Sequence, residues 1–378
     1  MGQILQSGQP MNLELSEEQQ LLTNMVERFT SDHYGFGKRA DYLSSSVGYS
    51  ENNWKIMAET GLLGALFSES YGGLNGSAED LICIMQPIGK AVAVEPFLSN
   101  IVLAGDFLER AGTQPQKDQW IPKIMAGQTN LALAHSESSA RFDLGFVETR
   151  NKKNGAGATL NGQKTFILGA GSADGFIVSA VPEGQSSDDK SGIGFYIVNK
   201  DAAGLKVRNY YLIDGSIACE IELMDTPAEP MSGTYNDLLK TISLTKIAGC
   251  AELVGIMERL FEATVEHVKT RQQFGRPLSA FQVIQHRLAE AYASLELSRS
   301  HLLRLAALEE SDDNYDQMIS GSKAYISKAA VSLAEEAVQL HGGMGITDEL
   351  IIGHAMKRVL VLSTLFGDVD KELYRYAA

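Results

Sequence analysis

The hydrophobic periodicity of this chain changes twice along its length, and that change restricts it to few architectures. From about residue 14 to 130, apolar residues recur at helical spacing. Ser16-x-x-Gln19 has the form of a capping box, and Leu21, Leu22, Met25, Val26 and Phe29 follow on one helical face. Further periodic stretches cover about 51–63, 78–93, 96–111 and 116–126, separated by turns such as Tyr71-Gly72-Gly73. Near residue 131 the texture becomes short apolar runs between Gly, Ser, Asp and Asn. The runs 176–181, 193–198 and 219–223 read as strands, and Thr159-Leu160-Asn161-Gly162 reads as a turn. From about 236 the helical period returns, predicting helices over about 240–270, 278–310, 315–341 and 349–365. The expected fold is α+β and multidomain. It comprises an N-terminal helical domain (1–130), a middle β-barrel-like domain (131–232) and a C-terminal four-helix bundle (233–378). The absence of a short repeat argues against a solenoid.

Charge and cysteine usage narrow the function. A net charge of -15 argues against nucleic acid or an anionic membrane surface as the main partner. The three cysteines, Cys83, Cys219 and Cys250, form no CxxC pair, and the seven histidines lack ligand spacing, so no metal site is expected. No apolar run is long enough for a transmembrane helix. Met1–Gln6 reads neither as a signal peptide nor, with Gln6 at the position that needs Ser or Thr, as a myristoylation motif. A cytoplasmic protein is expected.

Two C-terminal segments are more specific. One is Arg271-Gln272-Gln273-Phe274-Gly275-Arg276-Pro277-Leu278, followed by Phe281-Gln282-Val283-Ile284-Gln285-His286. The other is Gln339-Leu340-His341-Gly342-Gly343-Met344-Gly345. Both resemble signature segments of acyl-CoA dehydrogenases, and the likeness runs from the Ser16 helix to the last helix. The ending Thr364-Leu365-Phe366-Gly367-Asp368 resembles small subunits of heteromeric members, such as pimeloyl-CoA and bacterial steroid side-chain dehydrogenases.

The resemblance implies FAD as cofactor and α,β-dehydrogenation of an acyl-CoA. Arg271 offers a planar, permanently charged fork suited to a diphosphate. By resemblance, Arg271 reaches the diphosphate of FAD bound mainly by a neighbouring subunit. Phe274 packs by the adenosine, and Gln339 with Gly342, Gly343 and Gly345 approaches the cofactor, where glycine permits bare backbone. In the β domain, Gly162-Gln163-Lys164-Thr165-Phe166-Ile167-Leu168-Gly169 is similar to the family's flavin-facing segment. Phe166 replaces a tryptophan there and Leu168 a threonine. Ser138, in the loop 133–143, is a second candidate flavin contact.

The reaction removes a proton α to a thioester, which calls for a carboxylate base. By resemblance that base is a glutamate at position 366, where this chain has Phe366, or on the long helix at 245, where it has Thr245. Asp368 and Glu252 are the remaining acid candidates, and Lys246 stands where other members carry a substrate-side arginine. The expectation is a subunit of a tetramer whose paralogous partner supplies the glutamate. Electrons then pass to an electron-transfer flavoprotein. The alternatives are a flavin monooxygenase or oxidase of the same superfamily, or a non-catalytic scaffold.

Overall fold

The computed structural model describes residues 15–35, 37–155 and 157–378; Met1–Gln6 lies outside the described residues. Among the described residues, α-helices come first: α1 (Glu17–His33), α2 (Lys38–Leu43), α3 (Glu51–Glu59), α4 (Ala78–Ala91), α5 (Asp106–Ala111) and α6 (Gln114–Met125). The Ser16–Gln19 capping box starts α1, and a second, Ser77 with Asp80, starts α4. Val26 and Phe29 turn into the core as the periodicity requires, whereas Leu21 remains 68% exposed. The stretch expected as one helix over 96–111 is divided. Residues Phe97–Gly105 form a fully buried π-helix that runs into α5.

The middle domain carries β1 (Leu131–Ala134), β2 (Arg150–Asn154), β3 (Gly157–Leu168), β4 (Gly175–Pro182), β5 (Gly194–Asn199), β6 (Leu205–Tyr211) and β7 (Ile217–Pro230). Strand β4 pairs with β2 and β5, β5 with β7, β7 with β3, and β3 with β2, so five strands close on themselves. Parallel β1 flanks β4 and antiparallel β6 flanks β7. Strand β4 is buried from Gly175 to Val181, which explains its uninterrupted apolar run. The residues read as a turn, Thr159 to Gly162, lie instead inside β3. A register shift between Leu160 and Gly162 absorbs the glycine as a bulge, because β7 pairs along both sides of it.

The C-terminal part contains α7 (Tyr235–Thr270), a tight hairpin of β8 (Gln272–Gln273) and β9 (Arg276–Pro277), α8 (Gln282–Ala306), α9 (Tyr315–His341), α10 (Ile351–Thr364) and α11 (Val369–Ala377). Helices α7, α8, α9 and α10 pack as the expected bundle, and α11, which the periodicity did not reveal, folds back on α9. Helix α7 is the axis of the molecule, buried almost all round from Leu238 to Met257 because α4 covers the face the bundle leaves open. Two glycines permit that contact. A Cβ on Gly89 would lie 2.1 Å from the Glu252 carbonyl oxygen, and one on Gly255 2.0 Å from that of Gln86.

Candidate functional site

Where α10 ends, the backbone turns sharply at Phe366 (φ 59°) and Gly367 (φ 146°) before Asp368 starts α11. A side chain at 367 would collide with Glu372, whose Oε1 would be 2.3 Å from the added Cβ. Three cations hold this turn. Lys323 on α9 donates to the Gly367 carbonyl at 2.5 Å, and Arg375 on α11 to the Phe366 carbonyl at 2.8 Å. Lys246 on α7 bonds the fully buried carboxylate of Glu372 at 3.0 Å, which Arg375 also reaches at 2.5 Å. Burial pushes the Lys246 ammonium down to about 8, with Glu372 opposing the shift. Thr245 donates its hydroxyl to the Thr241 carbonyl at 2.8 Å and carries no carboxylate that could serve as a base. Phe366 is half-buried against Thr245, Lys246, Cys250 and Leu365, and they leave a void of only about 10 Å³.

The two acids singled out from sequence have structural partners. The Asp368 carboxylate accepts the Lys371 N–H at 2.8 Å and caps α11. Glu252 is 1% exposed and receives Arg358 Nε at 2.6 Å and Nη2 at 3.1 Å. Arg358 continues to Asp214 at 3.1 Å, so Glu252 belongs to an ion-pair network joining α7, α10 and the β domain. Lys246, expected at a substrate, is likewise engaged by Glu372. The spacing gave no hint of Glu372 itself, which meets Lys246 across 126 residues of chain.

Beside the turn lies a narrow cavity of about 60 Å³. It is lined by Leu98 and Ser99 of the π-helix, by Leu168, Gly169, Val361 and Leu365, and by the polar Arg39, Glu95 and Arg358. Glu95 receives the Tyr34 hydroxyl and the Asn53 amide, and burial holds its carboxyl above the usual range. Leu168 therefore meets the same cavity as Leu365, although nearly two hundred residues separate them.

The β-domain loops rest on a second buried network. Lys164 is fully buried and donates to Glu137 at 2.7 Å and Ser179 at 2.9 Å; burial pushes it down to about 8, against the pull of Glu137. Ser179 in turn lies 2.9 Å from His135 Nδ1, and His135 Nε2 lies 3.0 Å from the Leu144 carbonyl. A carbonyl only accepts, so Nε2 carries the proton, Nδ1 accepts from Ser179, and the ring is neutral. Burial and the Lys164 charge push it down to about 3. This network fixes the loop so that Thr165 N–H bonds the Ser136 carbonyl at 2.9 Å. Phe166 then sits at φ 53° in the second irregularity of β3, 36% exposed, while Ser138 is exposed on the loop.

The remaining candidates lie together at the opposite end of the bundle. Arg271 ends α7, is exposed, and its guanidinium has no hydrogen-bond or ion-pair partner among the described residues. Phe274 is 89% exposed at φ 53° in the β8–β9 hairpin, with its ring edge against Phe281. The exposed Gln339 ends α9 beside Gly342, which has φ 61°, ψ -144°, a conformation for glycine alone. A Cβ on Gly342 or Gly343 would meet nothing within 4 Å, whereas one on Gly345 would press on the Val338 carbonyl at 2.8 Å. The first two glycines thus present open backbone and the third serves packing. Among the described residues there is no cluster of side chains that would hold a metal ion, and no helix long and apolar enough to cross a membrane.

Comparison with known proteins bears on the family and the fold. The acyl-CoA dehydrogenase N-terminal, middle and C-terminal domains match residues 16–128, 132–226 and 235–372 respectively. The chain is 30% identical over 376 residues to "Probable acyl-CoA dehydrogenase YngJ" of Bacillus subtilis (strain 168), covering 97% of this chain and 98% of that protein. Among solved structures, a variant of the Tcur3481-Tcur3483 steroid ACAD superposes with a TM-score of 0.86 at 25% identity, over 96% of this chain and 97% of the other. The FAD complex of PigA superposes with a TM-score of 0.87 at 25% identity, over 97% and 98%. By sequence and by fold over nearly its whole length, the chain belongs to the acyl-CoA dehydrogenase family.

Proposed function

We propose that this chain is a subunit of an FAD-dependent acyl-CoA dehydrogenase that builds part of the cofactor site while a paralogous partner chain supplies the catalytic glutamate. The closed turn at Phe366 carries this reading. The position of the base holds a hydrocarbon ring, and the surrounding volume of about 10 Å³ admits no thioester. The adjoining cavity of about 60 Å³ is well below the roughly 300 Å³ at which ligand pockets begin. Of the nearby carboxylates, Glu372 and Glu252 are bound to cations, Asp368 caps a helix, and Glu95 is held by the Tyr34 hydroxyl and the Asn53 amide.

The other end of the bundle fits FAD. A guanidinium with no partner among the described residues, an exposed amide and two open glycines supply donors for a diphosphate, and exposed Phe274 supplies a face for the adenosine, while Phe166, on the β domain and away from them, supplies a face for a flavin ring. FAD, when bound, provides the hydride acceptor. Arg271 and Gln339 of this chain hold its phosphates, and Leu168 offers only an apolar contact in place of a hydroxyl. Ser138 completes the loop side of the ring site. The exposed ends, with Phe274, Met344 and Ile346 bare, suit a tetramer in which another subunit covers them. The substrate class is a carboxylated, cyclic or steroid-derived acyl-CoA, consistent with the likeness to a steroid ACAD. An electron-transfer flavoprotein is the expected electron acceptor, and a cytoplasmic setting suits such a pathway.

Anaerobic flavin bleaching tests the proposal. The chain alone, supplied with FAD, keeps its oxidised spectrum when acyl-CoA is added, whereas the assembly with its longer paralogue is bleached. Bleaching by the chain alone refutes the division of labour. Rapid oxygen consumption by the reduced protein would instead favour the oxidase chemistry.

A further inference from the structure

At the junction of the two cofactor-facing segments, the imidazoles of His267 and His341 are stacked, with ring centroids 4.2 Å apart and planes inclined by 26°. His267 precedes Arg271 by one helical turn and so projects from the same face of α7. Its carbonyl accepts the Arg271 N–H at 2.8 Å. His341 is the last residue of α9, two beyond Gln339 and directly before Gly342. Its Nδ1 lies 2.8 Å from the Ala337 carbonyl, so Nδ1 carries the proton and donates. Its Nε2 then has an open lone pair in the neutral ring.

Both rings stand at helix C-termini, where unpaired carbonyls form the negative end of each helix dipole. That field favours an imidazolium and opposes a diphosphate. A diphosphate diester carries two negative charges, and Arg271 offers one positive charge against them. Burial, His341 and Arg271 together hold His267 below its ordinary value. The surroundings supply no competing carboxylate. Glu336 on α9 is engaged by Arg287 of α8 at 2.7 Å, Arg276 of β9 lies over the Phe281 ring, the turn 342–346 brings no titratable group, and Glu266 and Lys269 on α7 are solvent-exposed.

We infer that the His267–His341 pair is a proton-dependent anion site that completes the diphosphate cradle of FAD, taking up one proton from solvent as the dinucleotide docks and releasing it as the dinucleotide leaves. One proton is the limit, since two stacked imidazolium rings repel each other while one charged and one neutral ring attract. The inference rests on the FAD reading above and assigns to the site two residues that the signature segments left unexplained.

The test is titration of FAD into the flavin-stripped assembly from about pH 5 to 8, the range in which imidazole changes charge. Flavin fluorescence gives the affinity, and calorimetry in two buffers of different ionisation enthalpy counts the protons. The expected result is an affinity that weakens towards roughly tenfold per pH unit at the alkaline end, with proton uptake approaching one. The His267→Asn, His341→Asn double variant binds FAD with a flat pH profile. A pH-independent wild-type affinity without proton uptake overturns the inference. Arg271→Ala separates the two levels. If it binds FAD like the wild type, the cofactor placement itself falls; if it weakens FAD while the wild type shows no pH slope, only the histidine inference falls.

Discussion

Replacing Glu372 by Gln removes the one carboxylate that balances Lys246 and Arg375, with Lys323 also close by, behind the Phe366 turn. Lys246 is 7% exposed and Lys323 4% exposed, so neither ammonium can reach water without moving the turn. Breaking a buried pair by neutralising one member costs about 3–5 kcal/mol. With a melting entropy of about 2.1 cal/mol/K per residue, a chain of 378 residues then loses about 4–6 °C in Tm at pH 7. The pH dependence identifies the cause. Lys246 titrates in the folded state at about 8, against 10.5 ordinarily, so the folded state resists its charge and is stabilised as pH rises from 8 towards 10.5. At pH 9 the amine is already largely neutral and the lost carboxylate matters less, so the gap between variant and wild type narrows by roughly 1 kcal/mol. Glu372→Gln combined with Lys246→Met recovers most of the loss. Thermal and urea unfolding at both pH values decides the matter. A single variant within 1 kcal/mol of wild type at pH 7, or a gap that widens at pH 9, refutes the ion lock.

Further perturbations probe other parts of the account. Arg271→Ala removes a charge-assisted contact of about 1.5–3 kcal/mol and weakens FAD binding by roughly 10–150-fold in a fluorescence titration. Gly255→Ala drives a methyl into the Gln86 carbonyl at 2.0 Å and destabilises the α4–α7 contact by about 1–3 kcal/mol or more in urea unfolding. His135 stays neutral in the folded protein down to about 3, against 6.5 ordinarily, so its contribution is intact above pH 6.5 and is lost as pH falls towards 3. That loss reaches about 2 kcal/mol at pH 5, and His135→Gln flattens the acid limb of the stability profile.

The order of helical, β and helical parts was readable because α1, α4 and α8 to α10 each bury one face against a neighbour, and burial imposes a period on the residues. The boundaries near 96–111 were not readable, because every residue of the π-helix is buried and a uniformly apolar stretch has no period to read. Thr159 to Gly162 looked like a turn for the opposite reason. The glycine signals an irregular backbone, and only the β7 partner decides that the irregularity is a bulge. The residues proposed to face the cofactor stand out in the sequence because Arg271 with Phe274, and Gln339 with Gly342 and Gly343, form short contiguous segments. The proposed loss of the base at Phe366 stands out for the same reason. The ion network behind it was not legible. Lys246, Lys323, Glu372 and Arg375 come from three helices, and nothing local in the sequence distinguishes Glu372 from an exposed acid on a short terminal helix. The same holds for Glu252, which is paired to Arg358 over 106 residues, and for the stacking of His267 on His341.

The central claim is that this chain helps to enclose FAD but does not hold a complete dehydrogenase site of its own. The most direct measurement is the flavin-to-chain ratio of the assembly purified with its paralogous partner, read from absorbance after denaturation. A cofactor shared across each unlike interface predicts about half a flavin per chain, and loss of that flavin when the chain is isolated. A full flavin on every chain, retained by this chain alone and reduced by acyl-CoA, would contradict the account.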